Sequence, residues 1–530
     1  MDSTQVKKEE PWVSPHNPWL ITFAVMMATF IFVLDSTIAN VALPHMAGTF
    51  AASNEEAMWI LTSYLIASGI VLPSVDWFSK IFGRKMFFIN CIIIFTFASV
   101  LCGLAKSLDM MIFSRILQGL GGGALLPVSQ AIMLESFPKE KRGMAMSIFG
   151  LGVVVAPIIG PLLGGWITDN YNWSWIFFLN LPFGLLAAFL SNTFIEDPPY
   201  ARKQGIQKID YLGFAFLIAW LVCLQVVLDK GQNADWFNAP WICWLSVISI
   251  LSMFLFVFSQ LKNKDSIIDL SIFKDRNYSL GTMILFLISL IMYASIAIMP
   301  LFLQNLLGYS AFLSGYATMP RGVGSIISVM ICAIFSDRID SRILVTLALV
   351  LLSISGFSFG LLNLDISMMN IVIPNLIFGL GLGMVFVPIT TLSVSSLGDN
   401  QLTNATGVQN LLKNIGGAIG TSIVATMLSR FSQMHQHSMV GFLSPLNSVF
   451  TQRVVATKAM LSKFMVPTLA EQKANYLMYA QLLKQSGLWA YIDTFRIVGF
   501  CAIIIIPIVW IMKKTKHKMN KDNSSLGLSH

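Results

Sequence analysis

The stretch MMATFIFVLDSTIANVALP, residues 26–44, decides the class of this protein, because it is an apolar run that carries one acidic side chain, Asp35. A helix needs about 20 apolar residues to cross a bilayer core of roughly 30 Å, and residues 19–43 provide them. A charge in hydrocarbon costs at least about 2.5–3.5 kcal/mol on insertion scales, so a carboxyl group kept there indicates a function. This run predicts a transmembrane helix with a functional acid.

Similar apolar runs recur along the whole chain. Of the 530 residues, 55% are hydrophobic and 11% are charged, against about 45–50% and about 25% in soluble domains. The runs are continuous, whereas the strands of a membrane barrel alternate in short segments. The sequence predicts an all-α polytopic membrane protein with 14 transmembrane helices, near residues 19–43, 57–78, 86–104, 109–133, 144–167, 175–194, 209–229, 240–261, 279–300, 312–335, 343–363, 370–395, 405–428 and 491–512.

The net charge of +8 predicts membrane topology rather than nucleic-acid binding, because of where the basic residues lie. Lys and Arg concentrate in the segments that are inside if the N-terminus is cytoplasmic, while the short outside loops hold only Lys106 and Lys230. This is the positive-inside bias. With an even number of spans, both the N- and C-termini are predicted to be cytoplasmic.

The polar connections divide the spans into groups of six, two and six. Two six-helix bundles are typical of secondary transporters, whose substrate path lies between the halves near the membrane midplane. The predicted organisation is a cytoplasmic N-tail (1–18), an N-terminal six-helix bundle (19–195), a cytoplasmic linker (196–208), an inserted helix pair (209–261), a second linker (262–278), a C-terminal six-helix bundle (279–512) and a cytoplasmic C-tail (513–530).

One outside segment is long, residues 429–489. Apolar residues at helical spacing on both sides of Pro467 predict two amphipathic helices there. This hairpin has two interpretations: a surface element that rests on the membrane, or a docking site for a partner outside it.

Four charged residues stand out within predicted spans: Asp35, Arg115, Arg321 and Lys413. The acids Asp76, Glu135, Asp210 and Asp493 lie near the ends of spans. Burial favours the neutral form of a carboxyl group and a cationic neighbour favours the charged form, so a movable neighbour makes the group bind and release a proton. We predict that Asp35 carries a proton and that Arg115 is this neighbour, since Arg stays charged and holds a carboxylate in a fork of donors. The alternative is a static ion pair between helices.

No acid at matching depth pairs with Arg321 or Lys413 in the sequence. They are predicted to lie on the substrate path and to favour acidic or amphiphilic substrates, together with the amides Asn40, Gln118 and Gln130. The alternative for Arg321 is that its side chain extends to the membrane surface.

Small residues recur every four positions in the fifth span, at Gly152, Ala156, Gly160 and Gly164. They form a ridge that another helix backbone can approach closely, and Pro157 and Pro161 beside it would bend the helix. Taken alone, this ridge indicates only packing.

The sequence lacks the motifs of several kinds of enzyme and cofactor site. No Gly-Lys dipeptide occurs, so the chain has no phosphate-binding loop of the nucleotide-hydrolysing type. The six histidines lie outside the predicted spans, which disfavours an intramembrane haem protein. The sequence therefore predicts no enzyme, no cofactor and no metal, and transport driven by the proton gradient.

Several motifs resemble the fourteen-span drug:proton antiporters of the major facilitator superfamily, the EmrB/QacA type, over nearly the whole chain. LDSTIANVALP (34–44) resembles the first-span signature, and RILQG (115–119) the fourth-span motif, whose arginine is linked to proton coupling. APIIGPLLGG (156–165), which includes Gly165, resembles the antiporter motif of the fifth span and implies export. LDKG (228–231) followed by DWF (235–237) is similar to the EmrB subgroup.

The loop after the second span departs from the family, which commonly has a glycine and an aspartate where this chain has Asp76 and Lys80. Gly83, Arg84 and Lys85 match, so the turn is expected to form. The charge relay that latches the inward-closed state of relatives is expected to differ, with Asp76 as a substitute from one turn earlier.

The resemblance implies the major facilitator fold and a multidrug efflux antiporter in the bacterial inner membrane that takes small hydrophobic substrates from the lipid bilayer. It also implies a tripartite pump, in which a periplasmic adaptor protein and an outer-membrane channel work with this chain and residues 429–489 are the docking hairpin. Two alternatives stay open: export of an endogenous metabolite, lipid or siderophore, and a non-transporting membrane receptor or assembly protein on the same fold.

Overall fold

The structure is a computed structural model that describes residues 15–138, 141–198, 210–263, 267–335, 339–398 and 401–513. Within these ranges the regular secondary structure is entirely helical, which confirms the predicted all-α class. Thirteen of the described helices are long and apolar enough to cross a membrane, and each overlaps one predicted span. The count of 14 and the cytoplasmic position of both termini stay predictions; the N-tail up to residue 14, positions 199–209 and 264–266, and the C-tail from residue 514 lie outside the described residues.

The first ten helices form the N-terminal part of the chain. A 3₁₀ turn, Leu72–Ser74, joins the third and fourth helices into the second span. The bounds are α1 (Pro18–Thr49), α2 (Asn54–Ala57), α3 (Trp59–Val71), α4 (Val75–Phe82), α5 (Arg84–Gly103), α6 (Leu108–Gly122), α7 (Leu125–Ser136), α8 (Arg142–Asn170), α9 (Trp175–Phe178) and α10 (Asn180–Phe194).

Nine further helices follow. A π-helical turn, Phe302–Leu306, ends the span that begins at Arg276. The bounds are α11 (Tyr211–Lys230), α12 (Pro240–Lys262), α13 (Arg276–Leu301), α14 (Ala311–Phe335), α15 (Ser341–Phe359), α16 (Met369–Val394), α17 (Leu402–Val440), α18 (Ser448–Leu461) and α19 (Pro467–Ile511).

Helix α8 occupies the place of the remaining predicted span, 144–167. It is 29 residues long, which is about 43 Å at 1.5 Å per residue and enough to cross a bilayer core. One helix continues through positions 157 and 161, although both are proline.

Packing follows the predicted grouping of helices, although the domain boundaries themselves stay predictions. In the first six spans, α1 packs against α8 and α10, and α5 against α6. In the last six, α13 packs against α17, α14 against α16, and α15 against both α16 and α19. Helix α11 pairs with α12.

The two halves meet directly on the predicted cytoplasmic side. The Thr406 hydroxyl donates to the carbonyl of Pro127 at 3.1 Å, and the Asn410 amide donates to Gln130 Oε1 at 2.7 Å. Gly407 lies against the carbonyl of Leu72, where an added Cβ would be 2.8 Å from that oxygen. The start of α17 therefore closes against the inner ends of the second and fourth spans.

On the opposite side of the membrane, α11 contacts both halves. The Thr62 hydroxyl of α3 donates to the carboxylate of Asp229, and the Ser422 hydroxyl of α17 donates to the carbonyl of Leu228 at 2.8 Å. The inserted pair is thus bound at its outer end to the second span and to the thirteenth.

The predicted outside segment is largely helical and is built by extensions of its neighbours. Helix α17 continues to Val440, and the last span continues outward as one 45-residue helix that begins at Pro467, about 67 Å long. The spans near 405–428 and 491–512 are therefore parts of longer helices, because the polar residues beyond the bilayer keep a helical pattern. Between them lies α18, which has no buried residue.

Candidate functional site

Asp35 lies in the interior of α1 and is 0% exposed. The two polar residues that follow it are satisfied by the backbone of their own helix. The Ser36 hydroxyl donates to the carbonyl of Val33 at 2.7 Å, and the Thr37 hydroxyl to that of Leu34 at 2.9 Å. Such back-bonding leaves the Asp35 carboxylate for contacts with other helices.

Arg115 of α6 forms a buried ion pair with Asp35. Its Nη1 lies 2.7 Å from Asp35 Oδ2, and both side chains are 0% exposed. Two amides complete the coordination of the carboxylate: Gln118 Nε2 donates to Oδ1 at 2.9 Å and Asn180 Nδ2 donates to the same oxygen at 2.8 Å. The structure thus brings both residues predicted for proton coupling into one dry cluster.

A second layer of hydrogen bonds holds the amides. The Ser99 hydroxyl oxygen of α5 accepts from Gln118 Nε2 at 2.6 Å and from Asn180 Nδ2 at 3.1 Å. Arg115 Nη1 also donates to Gln118 Oε1 at 2.7 Å. Four helices of the first half, α1, α5, α6 and α10, therefore converge on one carboxylate.

Two aromatic rings contact the guanidinium of Arg115. Its Cζ lies 4.9 Å from the centre of the Tyr64 ring and 5.1 Å from that of Phe177. The Nε and Nη2 atoms of Arg115 make no hydrogen bond within the described residues. The two ring faces are therefore the neighbours of this part of the guanidinium. Breaking a buried ion pair costs about 3–5 kcal/mol, so the cluster favours two states: paired and charged, or parted with Asp35 protonated.

The ridge of small residues in α8 packs against α1 beside this cluster. A Cβ added at Gly160 would overlap Thr37, and one at Gly164 would lie 2.8 Å from Ile38 Cγ1. Ala156 is 0% exposed, and Gly152 faces Met26 of α1. Pro157 is half-buried.

Gly165, another member of the predicted antiporter motif, takes no part in this contact. Nothing lies within 4 Å of a Cβ built at Gly165, and the side chain of Pro161 lies outside the described part of the chain. The antiporter motif is therefore a packing surface, at positions 152, 160 and 164, for the helix that carries Asp35.

The amides assigned to the substrate path occupy three different places. Asn40 is exposed near the outer end of α1, and its amide donates to the carbonyl of Ser36 at 3.2 Å. Gln118 lies in the buried ion-pair cluster, and Gln130 accepts the hydrogen bond from Asn410 that joins the halves. The structure does not bring the three together.

Arg321 of α14 is held by three neighbours. Its Nε donates to Asn375 Oδ1 at 3.2 Å, its Nη2 donates to the Ser295 hydroxyl at 3.1 Å, and its Cζ lies 4.3 Å from the centre of the Phe378 ring. No acidic partner is present among the residues described. Its cation is therefore held by two neutral acceptors and a ring face.

Lys413 of α17 is less constrained. Its Nζ lies 5.8 Å from the centre of the Phe386 ring, and within the described ranges it has neither a hydrogen bond nor an ion pair. It is half-buried. Of the two cations assigned to the substrate path, Lys413 is the one that makes no hydrogen bond to the described residues, whereas Arg321 makes two.

The loop after the second span is built as its residues predict. Gly83 has φ of 80° and ψ of 146°, a conformation that costs other L-residues about 1–3 kcal/mol. Asp76 pairs with Lys80 one turn away at 2.6 Å. Arg84 pairs with Glu135 at the end of the fourth span, and the backbone N–H of Lys85 donates to Asp197 Oδ1 at 2.8 Å. These contacts fasten the loop to its own half.

Sequence reasoning missed Asn180, Ser99 and Tyr64. Asn180 offered a signal, since an amide within an apolar span needs a partner. Ser99 offered none, because serine hydroxyl groups are common in membrane helices and usually bond to their own backbone. Tyr64 offered none either, because one tyrosine in an apolar span does not indicate which residue its ring contacts. The contacts of Asn180 and Ser99 with the cluster depend on how α5 and α10 turn toward α1.

Comparison with known proteins gives a consistent result. Residues 25–421 match the family model described as Major Facilitator Superfamily. The chain is 36% identical over 434 residues to the multidrug export protein EmrB of Haemophilus influenzae, covering 81% of this chain and 84% of that protein. It is 31% identical to the fatty acid resistance protein FarB of Neisseria gonorrhoeae, covering 94% and 96%.

A solved structure shows a similar fold. The crystal structure of the human organic anion transporter MFSD10 superimposes with a TM-score of 0.61 at 13% sequence identity, covering 93% of this chain and 99% of that chain. At this identity the similarity concerns the fold alone.

Proposed function

The chain belongs to the major facilitator superfamily, and we propose that it is a proton-driven secondary transporter that exports hydrophobic or amphiphilic drugs, a multidrug efflux antiporter. It works in the bacterial inner membrane and needs no cofactor, since the proton gradient supplies the energy. The names of its relatives, which are multidrug export and fatty acid resistance proteins, support export as the direction of transport.

The observation that carries this proposal is the buried pair of Asp35 and Arg115, 2.7 Å apart and shielded from solvent. The pair is neutral as a unit, so it fits a closed, dry interior. When Arg115 moves away, an unpaired carboxylate in that interior is costly and binds a proton instead. Binding and release of the proton are therefore linked to a movement of helices, and coupling to substrate transport requires such a link.

Lys413 indicates the substrates. An ammonium group with no acidic neighbour at mid-membrane depth and an aromatic ring beside it fits an anionic head group attached to an apolar body. Arg321 fits this role less well, because Asn375 and Ser295 accept hydrogen bonds from it and hold it in place. The transporter accordingly takes lipophilic weak acids well, and a relative named for fatty acid resistance agrees with this range.

The extended outer helices support a tripartite arrangement. Together with α18, the outer parts of α17 and α19 form a helical projection on which large apolar side chains are exposed, among them Phe442, Leu446 and Phe464. Exposed apolar groups beyond the membrane suit contact with a periplasmic adaptor protein, which would pass substrate to an outer-membrane channel. The same projection is the feature that favours a receptor or assembly protein as the alternative.

Proton release from inverted vesicles tests the proposal. In vesicles acidified inside by respiration, addition of a lipophilic weak acid is expected to release protons to the outside, and vesicles without the protein give the background. Deleting the projection separates the alternatives: a transporter keeps this signal in vesicles and loses resistance only in whole cells. If the intact protein moves neither protons nor substrate, the receptor is the better explanation.

A resistance profile of cells with and without the gene then separates drugs from endogenous compounds. Uncouplers, quinolones, fatty acids and cationic dyes should be compared side by side. Increased sensitivity to several unrelated compounds supports multidrug export. Accumulation of one cellular metabolite, lipid or siderophore with unchanged drug sensitivity indicates the endogenous substrate.

A further inference from the structure

Asn180 lies in the sixth span, at the start of α10. The short helix α9 ends at Phe178 and α10 begins at Asn180, and Leu179 joins the two. Both α9 and α10 pack against α1. The Asn180 side chain is 2% exposed, and its amide points at the carboxylate of Asp35.

The three donors to Asp35 fall into two groups. Arg115 and Gln118 lie one turn apart on α6 and are bonded to each other at 2.7 Å, so they move together. Asn180 comes from α10, and within the described residues it is the donor to Asp35 that does not depend on α6. Ser99 of α5 accepts from the same amide nitrogen and fixes its direction.

The surroundings of Asp35 leave few groups that titrate or carry charge. They are Arg115 of α6, Tyr64 of α3 and Cys102 of α5, whose Sγ lies 3.7 Å from Gln118 Oε1. From α8, α9 and α10 the described side chains beside this site are uncharged. An amide stabilises a carboxylate without adding a charge, whereas a second cation here would keep the proton away.

We propose that Asn180 is a positioning residue of the proton site, which holds the Asp35 carboxyl group in place and stays bonded to it after Arg115 and Gln118 have withdrawn. This inference rests on the proposed antiport function. A donor that favours the carboxylate over the carboxylic acid helps Asp35 to release its proton to the inner side. The proton moves between water and Asp35, and Asn180 itself neither gains nor loses one.

The variant Asn180→Leu tests this inference, because leucine has the same branching and number of side-chain heavy atoms and neither donor nor acceptor. The measurement is substrate-driven proton release from inverted vesicles over a range of pH on both sides of neutrality. Loss of a hydrogen bond to the anion should move the midpoint of the pH profile upward by about one unit, a tenfold change in proton affinity equal to about 1.4 kcal/mol. The maximum rate at high pH should be retained.

A matched control lies on the same helix. Ser191 is 0% exposed and far from the cluster, so Ser191→Ala should leave the midpoint unchanged. Ser99→Ala, which loosens the Asn180 amide, should move the midpoint in the same direction by a smaller amount. If Asn180→Leu is not found in the membrane, Asn180→Ala and Ser99→Ala decide the question through the same midpoint.

Two results overturn the inference. One is a uniform loss of rate in the Asn180 variants with an unchanged midpoint, since a purely structural residue would behave in this way. The other is a shift of the midpoint to lower pH. Failure of the proposed function looks different: the unmodified protein then releases no protons on substrate addition at any pH.

Discussion

Replacing Lys413 by methionine should change which substrates are exported. Methionine keeps much of the apolar stem and removes the ammonium group, which lies 5.8 Å from the centre of the Phe386 ring and has no acidic partner in the described part of the chain. An anionic head group bound there gains a charge-assisted hydrogen bond of about 1.5–3 kcal/mol. Its loss should raise the KM for an anionic substrate by roughly 10- to 100-fold.

A cationic substrate should respond differently, because it gains nothing from an ammonium group and is repelled by it. Its KM should stay the same or fall in Lys413→Met. The assay is uptake into inverted vesicles of a labelled fatty acid and of a cationic dye, measured at one pH with the same pH gradient.

Arg321→Met serves as the comparison for this variant. Arg321 is bonded to Asn375 and Ser295, so its removal leaves buried polar groups unpaired and should impair uptake of both substrates alike. If Lys413→Met impairs both substrates to the same extent, the reasoning about Lys413 is refuted.

Two further predictions concern packing. Gly164→Ala places a Cβ 2.8 Å from Ile38 Cγ1. The overpacking should lower the free energy of unfolding by about 1–3 kcal/mol and reduce proton coupling. Gly165→Ala is the control and should be tolerated, because nothing lies within 4 Å of its Cβ. Thermal unfolding in detergent and proton release measure both, and equal effects of the two variants would contradict the packing role. Gln130→Leu removes the bond to Asn410 that joins the halves, worth about 0.5–1.5 kcal/mol. It should raise the population open on the cytoplasmic side roughly 2- to 10-fold, which spin-label distances between the inner ends of α4 and α16 would report; an unchanged distance distribution excludes this role.

The membrane spans could be predicted from the sequence because the bilayer imposes a length and a polarity that few other structures share. The outer ends of α17 and α19 could not be predicted in this way. Outside the bilayer that constraint no longer applies, and a polar segment with helical periodicity does not reveal whether it continues the span before it. Pro467 does separate two helices, α18 and α19, as the helical spacing predicts, because proline is well accommodated in the first turn and here begins α19.

The site was predictable in part, and the limit has a physical reason. Asp35 and Arg115 stand out because charge in hydrocarbon is rare. Gln118 stands out less clearly, because an amide suits a substrate path as well as an ion-pair cluster. Only its hydrogen-bond partners in the structure show which of the two it belongs to. Asn180 contacts Asp35 across 145 positions of the chain, and spacing within one span gives no indication of such a contact.

The Asp35→Asn variant tests the central claim most directly, since asparagine keeps the size of the side chain and cannot carry the proton. Uptake of a lipophilic weak acid by inverted vesicles should be measured with and without an imposed pH gradient, after the variant is shown to be present in the membrane. The unmodified protein should accumulate substrate only with the gradient, and the variant should give the same low uptake in both conditions. Gradient-driven accumulation by Asp35→Asn at the unmodified level would contradict the assignment of proton coupling to Asp35.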